Sequence, residues 1–434
     1  MKLVMVGTGY VGLVSGLCFA EFGFETICVD NDEDRIKKLK SGECPFYEPG
    51  LEDLLTKHFH KTKLVSLSTS LKDSMKDADI VFITVGTPSR RLEDEADLTA
   101  VYNVAEEIAE NISKYCLVVT KSTVPVGTTN DLKRIISKKI DNNNFDIVSN
   151  PEFLREGSAI NDFMRPDRVI IGCDNSKSEK IMRELYRPLY LLETPIICTN
   201  IKSAEIIKYA SNSFLATKIS FINQVADLCE SAGGNIQDVA KAMGLDQRIG
   251  SKFLHAGPGF GGSCFPKDVK AFSSTGKKFN TELSIVEAVN HYNSRRPRQI
   301  VSKISKKFGN DFTDITLTIL GLSFKPNTND VRESYSLIIA KDLKLKGAII
   351  KAYDPKSMHN AKKTLPDIDY CKTIHEACKD TDAIIIATEW NEFRALNFNE
   401  IKKLVKKRII FDLRNIYSKE ELVNLDFEYY GIGK

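Results

Sequence analysis

Short apolar runs alternate with helix-length amphipathic stretches through the first half of the chain. Lys2–Val6 is apolar, a glycine-rich turn follows it, and Leu13–Phe22 has apolar residues at helical spacing. A second apolar run, Glu25–Val29, ends in Asp30. Strands that are apolar throughout are buried on both faces, and strands that alternate with helices form parallel sheets. This pattern predicts the start of a doubly wound α/β sheet.

Further runs of the same kind extend this sheet, and a second series of them comes later in the chain. Ala78–Val85, Tyr115–Thr120 and Ile147–Val148 are each followed by polar and turn-forming residues. The later series predicts strands at Ile315–Leu320, Ala348–Tyr353, Thr381–Thr388 and Arg408–Leu413. The repetition predicts two Rossmann-like, doubly wound parallel-sheet domains.

Between the two series the apolar period becomes helical. Residues from Ser203 to Ala232 form one predicted long helix, and Ile236–Met243 a shorter one. The long helix has an apolar stripe at steps of three and four, made of Ile206, Ala210, Phe214, Thr217 and Phe221. A helical region between two α/β halves often carries a subunit interface, so we expect a homodimer or a higher homo-oligomer.

A polar, basic segment, Asn293–Arg298, follows the helical region and contains Pro297. Proline is a common marker of an element boundary. We therefore predict an α/β chain of three parts: a Rossmann domain at residues 1–200, a central helical region at 201–298, and a Rossmann-like domain at 299–434. The one long helix belongs to the central region.

Composition and charge exclude several classes of protein. The 61 basic and 58 acidic residues leave a net charge of +3, which does not indicate a nucleic-acid-binding protein. No apolar run approaches the thickness of a bilayer, and the chain begins with a strand pattern rather than a signal peptide, so no membrane association is expected. The ten cysteines show no Cys-x-x-Cys spacing, so we expect no metal site and a reducing, cytoplasmic location.

The first turn carries candidate cofactor chemistry. Gly7, Gly9 and Gly12 lie between the first strand and the first helix, which allows a diphosphate to approach the helix N-terminus. Asp30 falls 18 positions after Gly12, where a carboxylate can bind the adenosine ribose hydroxyls. A carboxylate there repels a 2′-phosphate, so NAD is predicted rather than NADP. The alternative is an α/β turn that binds no nucleotide.

Polar residues follow the carboxyl ends of the later strands of the first series, where open α/β sheets bind ligands. Thr87, Thr123, Glu152 and Glu156 are therefore candidate site residues. Turn formation and helix capping are the alternative, because Ser, Thr, Asn and Pro are common at such places, and the pattern alone leaves both interpretations open.

A second candidate site is the segment Gly257–Lys270, which contains four glycines and Cys264 before a helical pattern resumes at Pro266. Glycines allow a loop to wrap a ligand, and proline favours the first turn of a helix. Cys264 would then precede a helix N-terminus, with Lys267 nearby, and both features favour the thiolate. The predicted function is a catalytic nucleophile, and the alternative is a buried structural cysteine.

Two further sets of polar residues are weaker candidates. Lys208 and Asn212 are four residues apart on the predicted long helix, so together they could bind a developing oxyanion. Periodicity alone favours a solvated lysine beside a polar neighbour. Lys325, Arg332 and Arg414 follow strands of the second series and could face phosphates, or could form surface salt bridges.

The order of these motifs resembles that of a known enzyme family. The glycine turn, Lys121–Pro125, Asn150–Gly157, Gly259–Asp268 and Gly321–Ser334 appear in sequence over almost the whole chain. The chain is similar to the UDP-glucose 6-dehydrogenases, a branch of a wider family that includes GDP-mannose and UDP-N-acetyl-aminosugar dehydrogenases. The Asn150–Gly157 run, followed by Arg165–Arg168, is most similar to the UDP-glucose branch.

This resemblance implies an NAD-dependent, four-electron oxidation of UDP-glucose to UDP-glucuronate. The sugar aldehyde would be held on Cys264 as a thiohemiacetal and then as a thioester, which water hydrolyses. The same chemistry on a UDP-N-acetyl-aminosugar or GDP-mannose is the first alternative. An ordinary two-electron dehydrogenase and a nucleotide sensor without activity are the others.

The resemblance also implies residue roles. Lys208 and Asn212 would stabilise oxyanions, and Thr123, Glu152 and Asp268 would position water and move protons, although Asp268 could simply be a first-turn acid of a helix. The implied NAD contacts are Gly7, Thr8, Gly9, Tyr10, Val11, Gly12, Asp30, Arg35, Thr87, Thr123, Glu156 and Arg332. The implied UDP-sugar contacts are Glu152, Phe153, Leu154, Lys208, Asn212, Arg248, Phe253, Leu254, His255, Gly259, Phe260, Gly261, Lys325 and Arg414.

Arg248 is typically lent to the site by a partner subunit in this family, which supports the expected dimer. Two positions depart from the family pattern. His255 stands where many relatives have other residues, and Leu413 precedes Arg414 where glycine is common. Both lie near the implied nucleotide site, so they bear on sugar or base preference rather than on the chemistry.

Overall fold

The computed structural model describes residues 1–89 and 95–434, and the chain divides into two compact units. The first unit contains residues 1–211 and 274–280, and the second contains residues 212–273 and 281–434. The long predicted helix is present as α9 (Ile201–Ala232), which begins in the first unit and ends in the second.

The first unit is built on an eight-stranded sheet. Its strands are β1 (Lys2–Val6), β2 (Glu25–Val29), β3 (Val65–Ser68), β4 (Ile80–Ile83), β5 (Cys116–Thr120), β6 (Phe145–Ser149), β7 (Val169–Gly172) and β8 (Ile196–Thr199). They lie in the order β3-β2-β1-β4-β5-β6-β7-β8. The first six are parallel, which agrees with the predicted doubly wound fold.

Helices cover both faces of this sheet. They are α1 (Tyr10–Glu21), α2 (Glu33–Lys40), α3 (Leu51–Leu55), α4 (Leu71–Ser74), α5 (Thr99–Asn111), α6 (Thr128–Ser137), α7 (Ala159–Met164) and α8 (Ser176–Leu185), with a π-helix at Thr56–Lys61 and a 3₁₀-helix at Arg187–Leu192. Along β1, Leu3 and Met5 belong to one buried apolar cluster and Val4 and Val6 to another. Since successive side chains of a strand point to opposite faces, both faces of the sheet are buried.

The pairing of β6 with β7 is antiparallel, so the sheet is not parallel throughout. The sequence did not predict β7. An antiparallel neighbour begins at the edge where the preceding strand ends, and therefore needs no crossover. The connection from Asn150 to Arg168 accordingly begins and ends at the carboxyl edge of the parallel strands, where ligands bind in such sheets.

The second unit contains a six-stranded sheet that is parallel throughout. Its strands are β9 (Thr316–Leu320), β10 (Ile349–Tyr353), β11 (Asp369–Tyr370), β12 (Ala383–Ile386), β13 (Ile409–Asp412) and β14 (Glu428–Gly431), in the order β11-β10-β9-β12-β13-β14. The remaining helices are α10 (Ile236–Leu245), α11 (Phe265–Lys278), α12 (Ser284–Phe308), α13 (Tyr335–Leu345), α14 (Met358–Thr364), α15 (Ile374–Cys378), α16 (Asn391–Arg394), α17 (Phe398–Ile401) and α18 (Lys419–Asn424). The prediction of two α/β sheets and a long intervening helix is confirmed.

The helix α12 runs through the segment where the sequence predicted a boundary. Pro297 lies inside it and cannot donate an N–H to Asn293 O, four residues earlier. The hydroxyl of Tyr335 donates to that carbonyl at 2.9 Å instead. The segment predicted as a boundary therefore lies within one helix, and the division of the chain at residue 298 stays a prediction.

The described residues contain neither a membrane-spanning helix nor a metal-binding cluster. Within residues 1–89 and 95–434, no helix combines the length and the apolar character needed to cross a membrane. Among the same residues, no group of three or more His, Cys, Asp or Glu side chains is arranged to hold a metal ion.

Candidate active site

The glycine turn between β1 and α1 is tightly packed. Gly7 has a φ of +102° and donates its N–H to Val29 O at 2.7 Å. A Cβ on Gly12 would lie 1.9 Å from Gly7 O, so a larger residue would push α1 away from the turn. A Cβ on Gly9, directly before Tyr10, would have no heavy atom of the described residues within 4 Å. The turn therefore has open space at the N-terminus of α1, where a dinucleotide diphosphate can bind.

The carboxylate predicted to bind the ribose is held by the turn itself. Asp30 Oδ2 accepts hydrogen bonds from Thr8 N at 2.7 Å, Thr8 Oγ1 at 2.8 Å and Arg35 Nη1 at 2.9 Å. Burial raises the pKa of Asp30, but hydrogen bonds from Thr8 and from Asp32 N, with the charge of Arg35, more than offset burial and hold this pKa below its ordinary value. An ionised Asp30 favours NAD over a 2′-phosphorylated dinucleotide.

The two threonines that follow β4 and β5 contact each other. Thr87 Oγ1 donates to Thr123 O at 2.9 Å. Thr87 is buried and Thr123 is half-buried. The alternative that the sequence left open for Thr87 is a role in stabilising a turn. This hydrogen bond is a contact of that kind. It also places both residues at the carboxyl edge of the sheet.

Glu152 and Lys208 form a buried ion pair. Lys208 Nζ lies 2.9 Å from Glu152 Oε1, and the side chains are 4% and 6% exposed, respectively. Glu152 Oε2 accepts a hydrogen bond from Leu154 N at 2.6 Å. Lys208 Nζ also lies 5.3 Å from the ring centroid of Phe153, against which the Arg168 guanidinium stacks at 3.6 Å. Lys208 is therefore not the solvated lysine that periodicity alone favours.

The segment around Glu156 lies beside the glycine turn. Glu156 is buried, and the next residue, Gly157, has a φ of +79°. Gly157 N lies 3.0 Å from the hydroxyl of Tyr10, the first residue of α1. Two segments that the sequence predicts to contact NAD are thus adjacent within the first unit.

In the second unit, Cys264 directly precedes α11. The residue is half-buried, and its Sγ lies 3.6 Å from Ser263 Oγ. Asp268 N donates to Cys264 O at 2.9 Å, which is the first helical hydrogen bond of α11. The thiol therefore lies near the positive end of a helix dipole, an environment that favours the thiolate.

Asp268 is a buried carboxylate one turn into α11, and it is 1% exposed. Its Oδ1 lies 2.7 Å from Lys267 Nζ, and its Oδ2 accepts a hydrogen bond from Asn212 Nδ2 at 2.6 Å. Asp268 and Cys264 are four residues apart and share one face of the helix start. A nucleophile candidate, a carboxylate and an amide thus belong to one hydrogen-bonded region.

Three buried polar side chains hold the backbone of the cysteine loop, residues 257–264, and the sequence predicted none of them. Asn293 accepts a hydrogen bond from Phe260 N at 3.0 Å and donates to Phe260 O at 2.9 Å. Arg296 Nε donates to Gly257 O at 3.1 Å, and Asn223 Oδ1 accepts from Gly257 N at 2.8 Å. The signal that could have revealed them is a polar residue on the buried face of a helix.

The loop approaches its neighbours so closely that side chains do not fit at two of its glycines. A Cβ on Gly259 would lie 2.3 Å from the Tyr335 ring, and one on Gly261 would lie 2.2 Å from Glu333 O. The predicted contacts before these glycines differ in exposure: Leu254 is buried, Phe253 is half-buried with a φ of +66°, and His255 is exposed.

Both arginines among the cations of the second sheet pair with an acidic residue, and Arg414 Nε lies 3.1 Å from Glu389 Oε2. Arg414 Nε donates to Ala387 O at 2.8 Å, and its Nη2 donates to Phe324 O at 3.1 Å. Arg414 therefore lies beside the backbone that carries Lys325. The side chain of Arg332 is 66% exposed and forms a two-pronged ion pair with Asp330, which is the surface salt bridge considered as its alternative.

Arg248 is an exposed member of the predicted substrate contacts, with 87% of its side chain accessible. It pairs with its near neighbour Asp246 at 2.6 Å. The predicted residues thus fall into both units: those from Gly7 to Lys208 belong to the first, and those from Asn212 to Arg414 to the second. Lys208 and Asn212 are one turn apart on α9, and the division falls between them.

A buried lysine that was not singled out as a candidate lies behind the Glu152 ion pair. Lys121 is 4% exposed and donates to Asn150 Oδ1 at 3.1 Å and to the Tyr186 hydroxyl at 3.3 Å. Burial lowers the pKa of Lys121 to about 8, against an opposing attraction from Glu152. Its sequence signal is a lysine directly after an apolar strand.

Comparison with known families supports this reading of the motifs. Residues 1–190 match the NAD binding domain of the UDP-glucose/GDP-mannose dehydrogenase family, residues 202–295 its central domain and residues 318–419 its UDP binding domain. The chain is 49% identical to the UDP-glucose 6-dehydrogenase of Rhizobium meliloti (strain 1021), with all of both chains covered. It is 46% identical to that of Rickettsia conorii (strain ATCC VR-613 / Malish 7), covering all of this chain and 99% of the relative.

Solved structures give the same result. A UDP-glucose dehydrogenase from Pyrobaculum islandicum superposes with a TM-score of 0.92 at 35% identity, covering 100% of this chain and 97% of that one. A UDP-D-ManNAc dehydrogenase from Pyrococcus horikoshii superposes with a TM-score of 0.86 at 25% identity, covering 100% and 99%. The predicted family, fold and NAD cofactor are confirmed. The chain belongs to the UDP-glucose/GDP-mannose dehydrogenase family of NAD-dependent nucleotide-sugar dehydrogenases.

Proposed function

We propose that this protein oxidises UDP-glucose to UDP-glucuronate in two hydride-transfer steps, with the intermediate held on Cys264. The relatives that cover the whole chain at nearly half identity are named UDP-glucose 6-dehydrogenases. The solved UDP-glucose dehydrogenase is also more similar to this chain than the UDP-D-ManNAc dehydrogenase is. Both comparisons support glucose over an aminosugar as the substrate.

The observation that carries the proposal is the position of Cys264 at the start of α11, four residues before the buried carboxylate of Asp268. A thiolate adds reversibly to an aldehyde and is a good leaving group from a thioester. Both properties are needed when an alcohol is oxidised to a carboxylate through an aldehyde. A two-electron oxidation would need no such residue.

The residues of the chain would act in sequence on the C6 carbon. NAD, when bound, accepts one hydride in each of the two oxidation steps. Cys264 Sγ forms a bond to the aldehyde carbon, and the carbonyl oxygen becomes an alkoxide. Lys208 and the second N–H of Asn212 Nδ2 would stabilise this oxyanion. After the second hydride has left, water attacks the thioester, the C–S bond breaks, and the carboxylate and the Cys264 thiolate are released.

The proton transfers fall to the buried carboxylates. Glu152 is held by Lys208 and by Leu154 N, so its orientation is fixed at the sheet edge. Together with Thr123 it would position the attacking water and accept its proton. Asp268, held by Lys267 and Asn212, would accept the proton of the C6 hydroxyl or of the Cys264 thiol.

The glycine turn fits NAD. The open space at Gly9 and the close contact of Gly12 with Gly7 O suit a diphosphate at the start of α1. Asp30 and Arg35 would bind the adenosine ribose. We assign the remaining cofactor contacts to Thr8, Tyr10, Val11, Thr87, Thr123, Glu156 and Arg332.

In the second unit, the sheet and the cysteine loop would contact the UDP-sugar. Lys325 and Arg414 are the cations suited to the diphosphate, because Arg414 is anchored beside the Lys325 backbone. The other proposed contacts are Glu152, Phe153, Leu154, Lys208, Asn212, Arg248, Phe253, Leu254, His255, Gly259, Phe260 and Gly261.

We also propose that the protein is a homodimer whose interface includes α9. Phe214, Phe221 and Leu228 are seven residues apart, so they form one stripe, and they are 66%, 50% and 66% exposed. Ile285 on α12 is 69% exposed. Large exposed apolar side chains in a row are typical of a protein interface. The exposed Arg248 is then available to a partner subunit.

A cytoplasmic location stays a prediction from the cysteine pattern.

A substrate panel tests this function. NADH formation is followed by absorbance with UDP-glucose, UDP-GlcNAc or GDP-mannose as the substrate. The proteins compared are the natural protein, Cys264→Ser and the control Cys44→Ser. We expect UDP-glucose to be used at least tenfold better than the others, and only Cys264→Ser to lose turnover. A faster rate with UDP-GlcNAc would overturn the choice of substrate, and normal turnover by Cys264→Ser would overturn the role of Cys264.

A further inference from the structure

The segment between α2 and α3, which no motif assigned to function, contacts both predicted NAD-binding parts of the first unit. The Phe46 ring lies 4.8 Å from the Tyr10 ring, centroid to centroid. A Cβ on Gly50 would lie 3.7 Å from Ile160 Cδ1, so the other end of the segment reaches α7. Glu48 lies between these two contacts in sequence.

The carboxylate of Glu48 accepts hydrogen bonds from both parts. Oε2 accepts from the hydroxyl of Tyr10 and from Gly157 N at 2.6 Å, and Oε1 accepts from Ala159 N at 2.8 Å. Glu48 is 5% exposed. A buried carboxylate is tolerated only when its oxygens accept hydrogen bonds, and each of these partners donates one to Glu48.

These partners belong to the two segments predicted to hold the cofactor. Tyr10 is the first residue of α1, at the glycine turn. Gly157 directly follows Glu156, and its N–H also lies 3.0 Å from the Tyr10 hydroxyl. Glu48, Tyr10 and Gly157 therefore form one hydrogen-bonded triangle that fixes the distance between the turn and Glu156.

We propose that Glu48 is a positioning residue for NAD binding, which holds the Glu156 segment against the start of α1. The inference rests on the proposed cofactor contacts of Tyr10 and Glu156. Glu48 itself acts through these residues rather than on the cofactor. Without its carboxylate, the two segments would have to be brought together during binding, so affinity for the dinucleotide would fall while the chemical step would be little changed.

The test compares Glu48→Gln with Glu52→Gln, an exposed glutamate at the start of α3. The glutamine keeps the size of the side chain, but its amide turns N–H groups toward donors. The dissociation constant of NADH is measured by fluorescence titration, and KM and kcat are measured with UDP-glucose. We expect the NADH dissociation constant and the KM for NAD to rise about 5- to 10-fold in Glu48→Gln, with kcat within twofold and Glu52→Gln unchanged.

An unchanged NADH affinity in Glu48→Gln, with or without a lower melting temperature, would show a purely structural role and overturn the inference. If Glu48→Gln does not fold, Tyr10→Phe carries the test, because it removes the hydroxyl shared by Glu48 and Gly157. NADH should then bind about threefold more weakly, and unchanged binding would again overturn the inference.

A double-variant cycle tests whether Glu48 affects NADH binding through Tyr10. If Glu48 acts through Tyr10, the combined variant should bind NADH about as weakly as Glu48→Gln alone, and independent additive losses would contradict this route. These outcomes are distinct from failure of the proposed function, because NADH binding by the natural protein is measured without any sugar.

Discussion

Among single residues, Asn212 has two contacts that matter for the proposed chemistry. It lies one turn after Lys208 on α9, and its side chain donates a hydrogen bond to the buried carboxylate of Asp268. Its Nδ2 carries a second N–H, which would stabilise the alkoxide that we propose forms on Cys264. Loss of one oxyanion donor lowers kcat by about 10²- to 10³-fold in other enzymes.

We therefore predict that Asn212→Ala lowers kcat by about 10²-fold, with a much smaller change in the KM for UDP-glucose, in steady-state NADH assays. The matched control is Gln224→Ala, which removes an exposed amide from the same helix. An equal loss in both variants, or a loss expressed only in KM, would contradict the oxyanion role.

Lys121 gives a pH-dependent prediction. Burial lowers its pKa from 10.5 to about 8, so between these values the unfolded lysine holds a proton that the folded one has lost. The free energy of unfolding rises with pH wherever the unfolded state binds more protons. The natural protein should therefore gain stability relative to Lys121→Met as the pH rises from about 8 to 10, as measured by urea unfolding. A difference between the two proteins that does not vary with pH would contradict a depressed pKa.

Partners are distant in sequence both for the residues that the sequence identifies and for those that it misses, and the identified residues differ in lying within a recognisable motif. Asp30, Lys208 and Asp268 stand in recognisable order around glycine turns, strand ends or a helix start, and the structure gives each a polar partner. Lys121 and Asn293 have partners that are distant in sequence, such as Tyr186 and Phe260. Such contacts depend on which elements become neighbours, which periodicity does not specify.

At the scale of elements, the strands of the two sheets follow from apolar runs because burial on both faces leaves few polar positions. The run Ala78–Val85 is longer than β4, Ile80–Ile83, because apolar character does not specify where strand pairing begins and ends. β7 was missed, and its antiparallel pairing was not foreseeable, because local pattern does not specify strand direction. This pairing is what keeps the Asn150–Arg168 connection at the ligand edge.

The uninterrupted helix α12 gives a testable consequence. The hydroxyl of Tyr335 donates a hydrogen bond to the carbonyl of Asn293, because Pro297 has no N–H to donate to it. Tyr335→Phe leaves this buried carbonyl without that donor, so we predict a loss of about 1–3 kcal/mol in the free energy of unfolding by denaturant titration.

Pro297→Ala restores a backbone N–H at the position that normally serves Asn293 O. The loss caused by Tyr335→Phe should therefore shrink when Pro297→Ala is also present. Tyr430→Phe, whose hydroxyl contacts the exposed Glu428, is the control. Additive effects of Tyr335→Phe and Pro297→Ala would show that the hydroxyl does not replace the missing N–H.

At the scale of the whole molecule, the stripe Phe214, Phe221 and Leu228 predicts the oligomeric state. Phe221→Lys places a charge in the middle of this stripe, and a desolvated charge in an apolar interface is costly. We predict a dimer for the natural protein and a monomer for Phe221→Lys by sedimentation velocity. Leu345→Lys replaces a similarly exposed residue on α13 and should leave the dimer intact. A dimer that persists in Phe221→Lys would exclude this part of α9 from the interface.

We propose that one protein carries out both oxidations, with Cys264 as the point of attachment. The most direct measurement is the amount of NADH formed from a limiting, known amount of UDP-glucose in the presence of excess NAD. We predict two NADH for each UDP-glucose, and no such yield from Cys264→Ser. One NADH for each UDP-glucose, or two from Cys264→Ser, would contradict the claim.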